Sequence, residues 1–361
     1  MTSNPIRPRA TIREVAAAAG VSMGTVSRVA GGSTRISEVT RARVLAAMKD
    51  LSYQPNAAAR AMRTNISKTV GMLVPDLGCP VFVRMIAGVK EVLAQNGYML
   101  FTFSSESEVS QEITFLQAAR QRQLDGLIVS VVDETSAETA RELQMMGVPI
   151  VVVDREIKLD ADRVFVEHTQ AMEALMAQLI AMGHERIGFV TAALNRPGRL
   201  RVAAYRNALQ RAGITVDPDL MRTDGAGRGA AYGTSETYDL LTNGAAPTAL
   251  IAAGSDFFFG ALKAVRALDL SIPDQLSFVG ADDTELAEIA GPPITAIERD
   301  MREVGRMAAK LLLDRFAGNA LPPRTIIQSS QLVLRKSIGK VQPTRRAPAI
   351  KKHVEQTTPA E

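Results

Sequence analysis

The stretch "TIREVAAAAGVSMGTVSRVAGGS", Thr11–Ser33, decides how this chain begins to fold. Thr11 and Glu14 have the spacing of a capping box, and Ile12, Val15, Ala16 and Ala19 then fall on one helical face. Gly20 breaks that helix, Val21 can face inward, and Ser22 can cap a second helix whose Val26 and Val29 point back at the first. Two helices joined by a tight glycine-containing turn form a helix-turn-helix, whose second helix lies in the DNA major groove with its N-terminal residues at the base edges. Met23, Gly24, Ser27 and Arg28 are left on the outer face. A guanidinium can donate two bonds to guanine, so Arg28 is the expected base reader. Thr25 and Ser27 suit phosphate oxygens, Met23 can touch only a thymine methyl, and Gly24 supplies no side chain. A third helix, capped by Ser37 and carrying Val44, Leu45, Met48 and Leu51, completes a minimal core.

Charge separates along the 361 residues. Residues 1–68 hold eleven Lys/Arg against three Asp/Glu, residues 69–339 hold 26 against 33, and residues 340–361 hold five against two. A basic head on an acidic body points to a polyanion partner for the head alone. Apolar residues make up 46% and aromatics 4%, which suits helix-rich layers better than an aromatic-lined β-sandwich. One cysteine, Cys79, excludes an internal disulfide framework, and His168, His184 and His353 show no metal-ligand spacing. The opening "MTSNPIRPRA" has no apolar run suited to a signal peptide and no segment approaches the ~18 apolar residues of a membrane span, so a cytoplasmic location is expected.

The run from Thr11 to Thr64, "TIREVAAAAGVSMGTVSRVAGGS" continuing through "RISEVTRARVLAAMKDLSYQPNAAARAMRT", closely resembles the DNA-binding headpiece of the lactose/galactose repressor family. It departs from the usual pattern at Ala30, Gly31 and Met62. The resemblance implies that Thr11, Ser22, Met23, Gly24, Thr25, Ser27, Arg28, Arg35, Asn56, Ala59 and Met62 contact DNA. It also implies that "AAARAMR" forms a hinge helix, paired across a homodimer, whose Met62 wedges into the minor groove of a near-palindromic double-stranded operator. An isolated helix this short is marginal in water, so DNA should be needed to form it.

From Val70 onward short β-branched runs, "TVGMLVP", "YMLFTF", "GLIVSVV", "PIVVVD", "RVFVE", "RIGFVT", "TALIAA" and "LSFVGAD", alternate with helix-length amphipathic stretches. That alternation reads as βαβ units, and the count favours two doubly wound parallel-sheet subdomains with a cleft between them. Segments such as "VGMLVPDLGCPVF", "GVPIVVVDRE" and "ITAIERDMREVGRMAAKLLLDR" resemble the periplasmic-binding-protein-like core of the same repressors. The expected division is therefore an unstructured 1–10, a helix-turn-helix domain at 11–56, a hinge at 57–68, an effector-binding core at 69–339 and an unstructured tail at 340–361. The resemblance implies three chain crossings within the core, which would give a first subdomain of about 69–167 and 296–326, and a second of about 168–295 and 327–339.

Ligands of open α/β sheets bind beyond the carboxyl ends of the strands. Asp154 ends "VVVD", Asp282 and Asp283 follow "FVGA", and Arg199 and Arg201 open the helix after "FVTAALNRPG". By resemblance Asp154, Arg201 and Asp282 sit where relatives hold their effector, and Val81 and Phe82 match the first cleft helix. Gly254, Ser255 and Asp256 replace an Asn-Asp pair usual in the family, and Arg228 aligns with an aromatic lid. Both departures argue against a plain neutral hexose, and convergence of Arg199, Arg201 and Arg228 would favour a sugar acid or sugar phosphate.

Two other classes fit worse. "GAGRGA", Gly225–Ala230, matches a dinucleotide fingerprint, but the preceding "DPDLMRTD" is a poor strand and no acidic residue follows at the required distance. A periplasmic solute carrier would share the body but carry no basic headpiece. The sequence thus implies a non-enzymatic, ligand-responsive transcription regulator of repressor type, without a cofactor.

Overall fold

Val15, Val26 and Val44 are fully buried where three short helices meet: α1 Ile12–Ala19, α2 Met23–Ala30 and α3 Glu38–Asp50. The protein is described here from a computed structural model covering residues 10–31, 33, 35–54, 66–122, 124–224, 229–242, 247–282, 284–318 and 321–341. Both halves of the capping box form: Thr11 Oγ1 accepts from the Glu14 amide, and Glu14 Oε2 accepts from the Thr11 amide at 2.6 Å. Gly20 closes α1 in the left-handed region, φ 62°, where a side chain would be strained. Ser22 and Ser37 cap α2 and α3. On α3 the inward face is Val44, Ala47 and Met48, while Leu45 and Leu51 stay exposed, Leu45 because it lies about a quarter-turn around the helix from Val44. Asn56, Ala59, Met62 and residues 57–65 of the expected hinge lie outside the described residues, as do Asp283, Arg228, most of "GAGRGA" and nearly all of the tail.

Residues from Lys68 onward form a separate unit built on two six-stranded sheets. The first has the order β11 (Thr325–Gln328), β5 (Asp162–Val166), β4 (Ile150–Val153), β3 (Gly126–Val129), β1 (Thr69–Val74), β2 (Met99–Ser104), all parallel. The second runs β12 (Ser330–Val333), β10 (Thr295–Arg299), β9 (Ser277–Gly280), β8 (Ala249–Ala253), β6 (Ile187–Thr191), β7 (Met221–Arg222), and only β12 is antiparallel to its neighbour. Central strands are buried on both faces by helices, which explains their unbroken apolar runs. Strand order reverses between β1 and β3 in one sheet and between β6 and β8 in the other.

The chain passes between the sheets three times: after β5, after β10 and between β11 and β12. The second passage falls at Asp300 rather than near 296, because β10 keeps its pairing with β9 and β12. The helix that follows, Met301–Phe316, packs on the helix Pro80–Gln95 of the first lobe so closely that a β-carbon at Gly88 would meet the Arg302 carbonyl oxygen and one at Gly305 the Met85 carbonyl oxygen. Ser330 Oγ donates to the Glu167 carbonyl at 2.7 Å, tying the third passage to the first. Among the described residues no helix is long and apolar enough to cross a membrane.

Candidate functional site

Two surfaces hold most of the described residues singled out in the sequence. On α2, Met23, Gly24 and Arg28 are exposed, and Thr25 and Ser27 are partly so. Arg28 folds back to donate from Nε to the Gly24 carbonyl at 3.2 Å, a contact it can exchange for a base edge. Thr25 is less free, since its amide and hydroxyl both meet Ser22 Oγ, at 3.2 and 3.1 Å. Arg35 is exposed ahead of α3.

In the larger unit, a cavity of about 180 Å³ opens where the carboxyl ends of β3, β4, β6, β8 and β9 converge. Its walls include Val81, Phe82, Asp154, Arg201, Ser255, Asp256 and Asp282. Arg199 is not among its lining residues. That side chain extends along the rim, where it bonds Glu134 and donates to Glu156 Oε2 at 2.6 Å. Arg155 and Arg299, which the sequence reading did not single out, line the cavity together with Cys79 and Asn195.

Asp154 follows β4 with φ 52°, a left-handed conformation that Asp tolerates better than most residues, and this turns its carboxylate into the cleft. Oδ1 accepts from Arg196 Nη1 at 3.0 Å and from the Val166 amide at 3.2 Å; Oδ2 accepts from His168 Nε2 at 2.8 Å. Burial alone would raise this carboxyl, but the His168 contact and the charges of Arg155 and Arg299 hold it well below the usual carboxylate range. Burial pushes His168 down to about 4, so at neutral pH a neutral imidazole donates to Asp154.

Across the cleft, Asp282 accepts from Ser255 Oγ at 2.9 Å and from Arg201 Nη2 at 3.4 Å, and lies against Arg299. Arg201, Asp282 and Arg299 are all nine-tenths or more buried. Asp256 lies at another part of the wall, where burial first and then the charge of Asp76 raise its carboxyl. A buried pocket carrying both forked donors and carboxylate acceptors can orient a small polar molecule by several charge-assisted bonds.

The two lobes are joined across the cleft mouth. Arg196 and Arg199, at the start of the second-lobe helix Arg196–Arg211, engage Glu134, Asp154 and Glu156 of the first lobe, and Arg84 donates to Glu285 at 2.8 Å on another side.

A helix-turn-helix headpiece followed by a two-lobed, cleft-bearing core is the architecture of a ligand-responsive DNA-binding regulator. Residues 11–56 match the family of bacterial regulatory proteins of the lacI type, and residues 176–338 match a periplasmic binding protein-like domain. The ribose operon repressor of Haemophilus influenzae is 31% identical over 91% of this chain and 98% of its own length. The repressor CytR of Escherichia coli K12 is 30% identical over 91% of this chain and 96% of its own. Among solved structures, a Lac repressor dimer bound to operator and an anti-inducer superposes with a TM-score of 0.80 at 27% identity, covering 92% of this chain and all of that one. The cellobiose complex of the regulator CelR gives 0.69 at 27% identity, over 91% of this chain and all of that one. The chain belongs to the lacI family of bacterial regulatory proteins. It is a DNA-binding transcriptional regulator with a ligand-binding core, not an enzyme.

Proposed function

We propose that this chain is a cytoplasmic homodimeric repressor that binds a near-palindromic operator through Arg28 and its α2 neighbours, and whose operator affinity is set by a small hydroxylated molecule in the core cavity. The observation that carries this reading is the cavity itself, walled by both lobes and lined by carboxylates and guanidiniums at the strand ends. A molecule bonding Asp154 or Arg155 on one side and Arg201, Ser255 or Asp282 on the other interacts differently with closed and open lobes. Only such a difference can shift an equilibrium. The relatives named for a ribose operon and for a cellobiose complex support a carbohydrate-like effector class. Thr11, Ser22, Thr25, Ser27 and Arg35 are assigned to the phosphate backbone, with Asn56, Ala59 and Met62 as contacts of the segment that follows.

The test is selection of binding sites from random duplex DNA with the purified full chain, followed by footprinting with and without candidate effectors. An enriched two-fold site whose protection changes with one effector is expected. Binding only to arbitrary DNA, with no enriched half-site, would overturn the reading.

A further inference from the structure

Three arginines and three aspartates line the cavity, but the aspartates are engaged or buried in ways that leave guanidinium donors without a carboxylate bond. Arg155, Arg201 and Arg299 are all buried and all line the cavity. Asp154 is already engaged by His168, Arg196 and the Val166 amide. Asp282 is a single carboxylate shared by Arg201, Arg299 and Ser255. The hydrogen bonds of Arg155 go to main-chain carbonyls, Nε to Val131 at 2.7 Å and Nη1 to Asp154 at 2.9 Å; the charges of Asp154, Glu134 and Glu112 act on it without a carboxylate hydrogen bond. Arg299 Nε is buried with no hydrogen-bond partner. Asp256 lines the same cavity, but burial and then the charge of Asp76 raise its carboxyl, which weakens it as a counter-charge to the guanidiniums. Burial lowers all three guanidiniums, Arg201 to about 10 and Arg299 to about 9, with Arg201 adding to the effect of burial at Arg299. A buried cation is retained where an anion completes it, and arginine's planar fork suits a carboxylate or phosphate held by paired bonds.

We propose that the effector is an oxyanion on a hydroxylated carbon chain, a sugar acid or a sugar phosphate, its anionic group held among Arg155, Arg201 and Arg299 and its hydroxyls reaching Asp256. This rests on the cavity being the effector site, and it gives Arg299 the charge-selecting role. The sequence-based convergence of Arg199, Arg201 and Arg228 pointed to the same chemistry through other residues. The structure carries it on Arg155 and Arg299 beside Arg201.

The experiment measures the melting temperature of the full chain at constant ionic strength with inorganic phosphate, gluconate, glucuronate and glucose 6-phosphate, beside glucose and sorbitol, for the wild type and for Arg299→Gln. Ligand linkage raises the melting point only for molecules that bind the folded state. At least one anion is expected to stabilise the wild type where its neutral counterpart does not. Arg299→Gln should weaken that anion's affinity at least tenfold, read as the ligand-induced rise in melting temperature above the variant's own ligand-free value, because Arg299 also lies against the buried Asp282. Gluconate or glucuronate acting alone points to a carboxylate, glucose 6-phosphate or inorganic phosphate acting alone to a phosphoryl group. Neutral members stabilising as well as the anions would overturn the proposed charge class and leave the effector reading intact. No stabilisation of the wild type by any anion would overturn it. Operator binding measured on the same samples separates the two readings, since an anion that binds without changing operator affinity defeats the regulatory reading and not the charge class.

Discussion

Arg196 on the second lobe donates from Nη1 to Asp154 Oδ1 on the first at 3.0 Å, and three residues further along the same helix Arg199 donates to Glu156 Oε2 at 2.6 Å. The two contacts differ in solvent exposure. The Arg196 and Asp154 side chains are 11% and 8% exposed, whereas those of Arg199 and Glu156 are 44% and 51%. Removing one partner of a buried pair costs about 3–5 kcal/mol because the other charge is stranded, whereas an exposed pair is worth about 0–1 kcal/mol. Arg196→Ala should therefore lower core stability in urea unfolding by roughly 3 kcal/mol, and Arg199→Ala by less, because Arg199 is itself 44% exposed although its second partner Glu134 is buried. Equal losses would mean that lobe closure does not depend on the Asp154 contact.

In the headpiece, Arg28→Ala should cost about 1–3 kcal/mol of affinity on the selected operator and leave weak binding to random duplex nearly intact. The Gly24 contact that Arg28 makes is a single bond to an exposed carbonyl, so its loss should leave headpiece folding almost unchanged. Competition binding against random DNA checks both statements. Equal losses on both DNAs would reassign Arg28 to a phosphate.

Much of this site was legible because strand ends carry it. Asp154 and Asp282 follow two of the most apolar runs in the sequence, and the rule that ligands sit beyond such ends leads to residues that line the cavity. The same rule would have reached Arg299 had "ITAIER" been read as the strand β10. β11 and β12 are edge strands whose half-exposed faces carry no unbroken apolar run, and β7 has only two residues. Arg155 follows directly on Asp154, and its direction depends on the left-handed turn at Asp154, which no periodicity reports. Arg199 and Arg201 could not be told apart by spacing. Both open one helix, but only Arg201 faces the pocket, while Glu134 and Glu156 take Arg199 at the rim.

The edge strand β2 leaves Met99 62% and Phe101 54% exposed, although both are large and apolar. Unpaired edges of this kind invite a second chain. Sedimentation of the wild type should show a homodimer, and Phe101→Glu combined with Met99→Glu should dissociate it at micromolar concentration without changing the circular dichroism of the core. A double variant that stays fully dimeric would place the dimer contact elsewhere.

Glu112 gives the core a pH dependence of its own. Its Oε1 accepts from the Val132 amide at 2.6 Å, Oε2 is buried without a hydrogen-bond partner, and burial raises its carboxyl from 4.5 to about 7 against the opposing pull of the Val132 bond and of Arg155. Between these two values the folded state holds a proton that the unfolded chain has released. Stability therefore falls as pH rises from about 4.5 to about 7, and this contribution is flat above that. A shift of this size corresponds to at most roughly 3 kcal/mol. Glu112→Gln keeps an acceptor for the Val132 amide and removes the titration. Urea unfolding at several pH values across that window should show the variant gaining on the wild type as pH rises. Parallel slopes for the two proteins would mean that Glu112 ionises in the folded core as readily as in the unfolded chain.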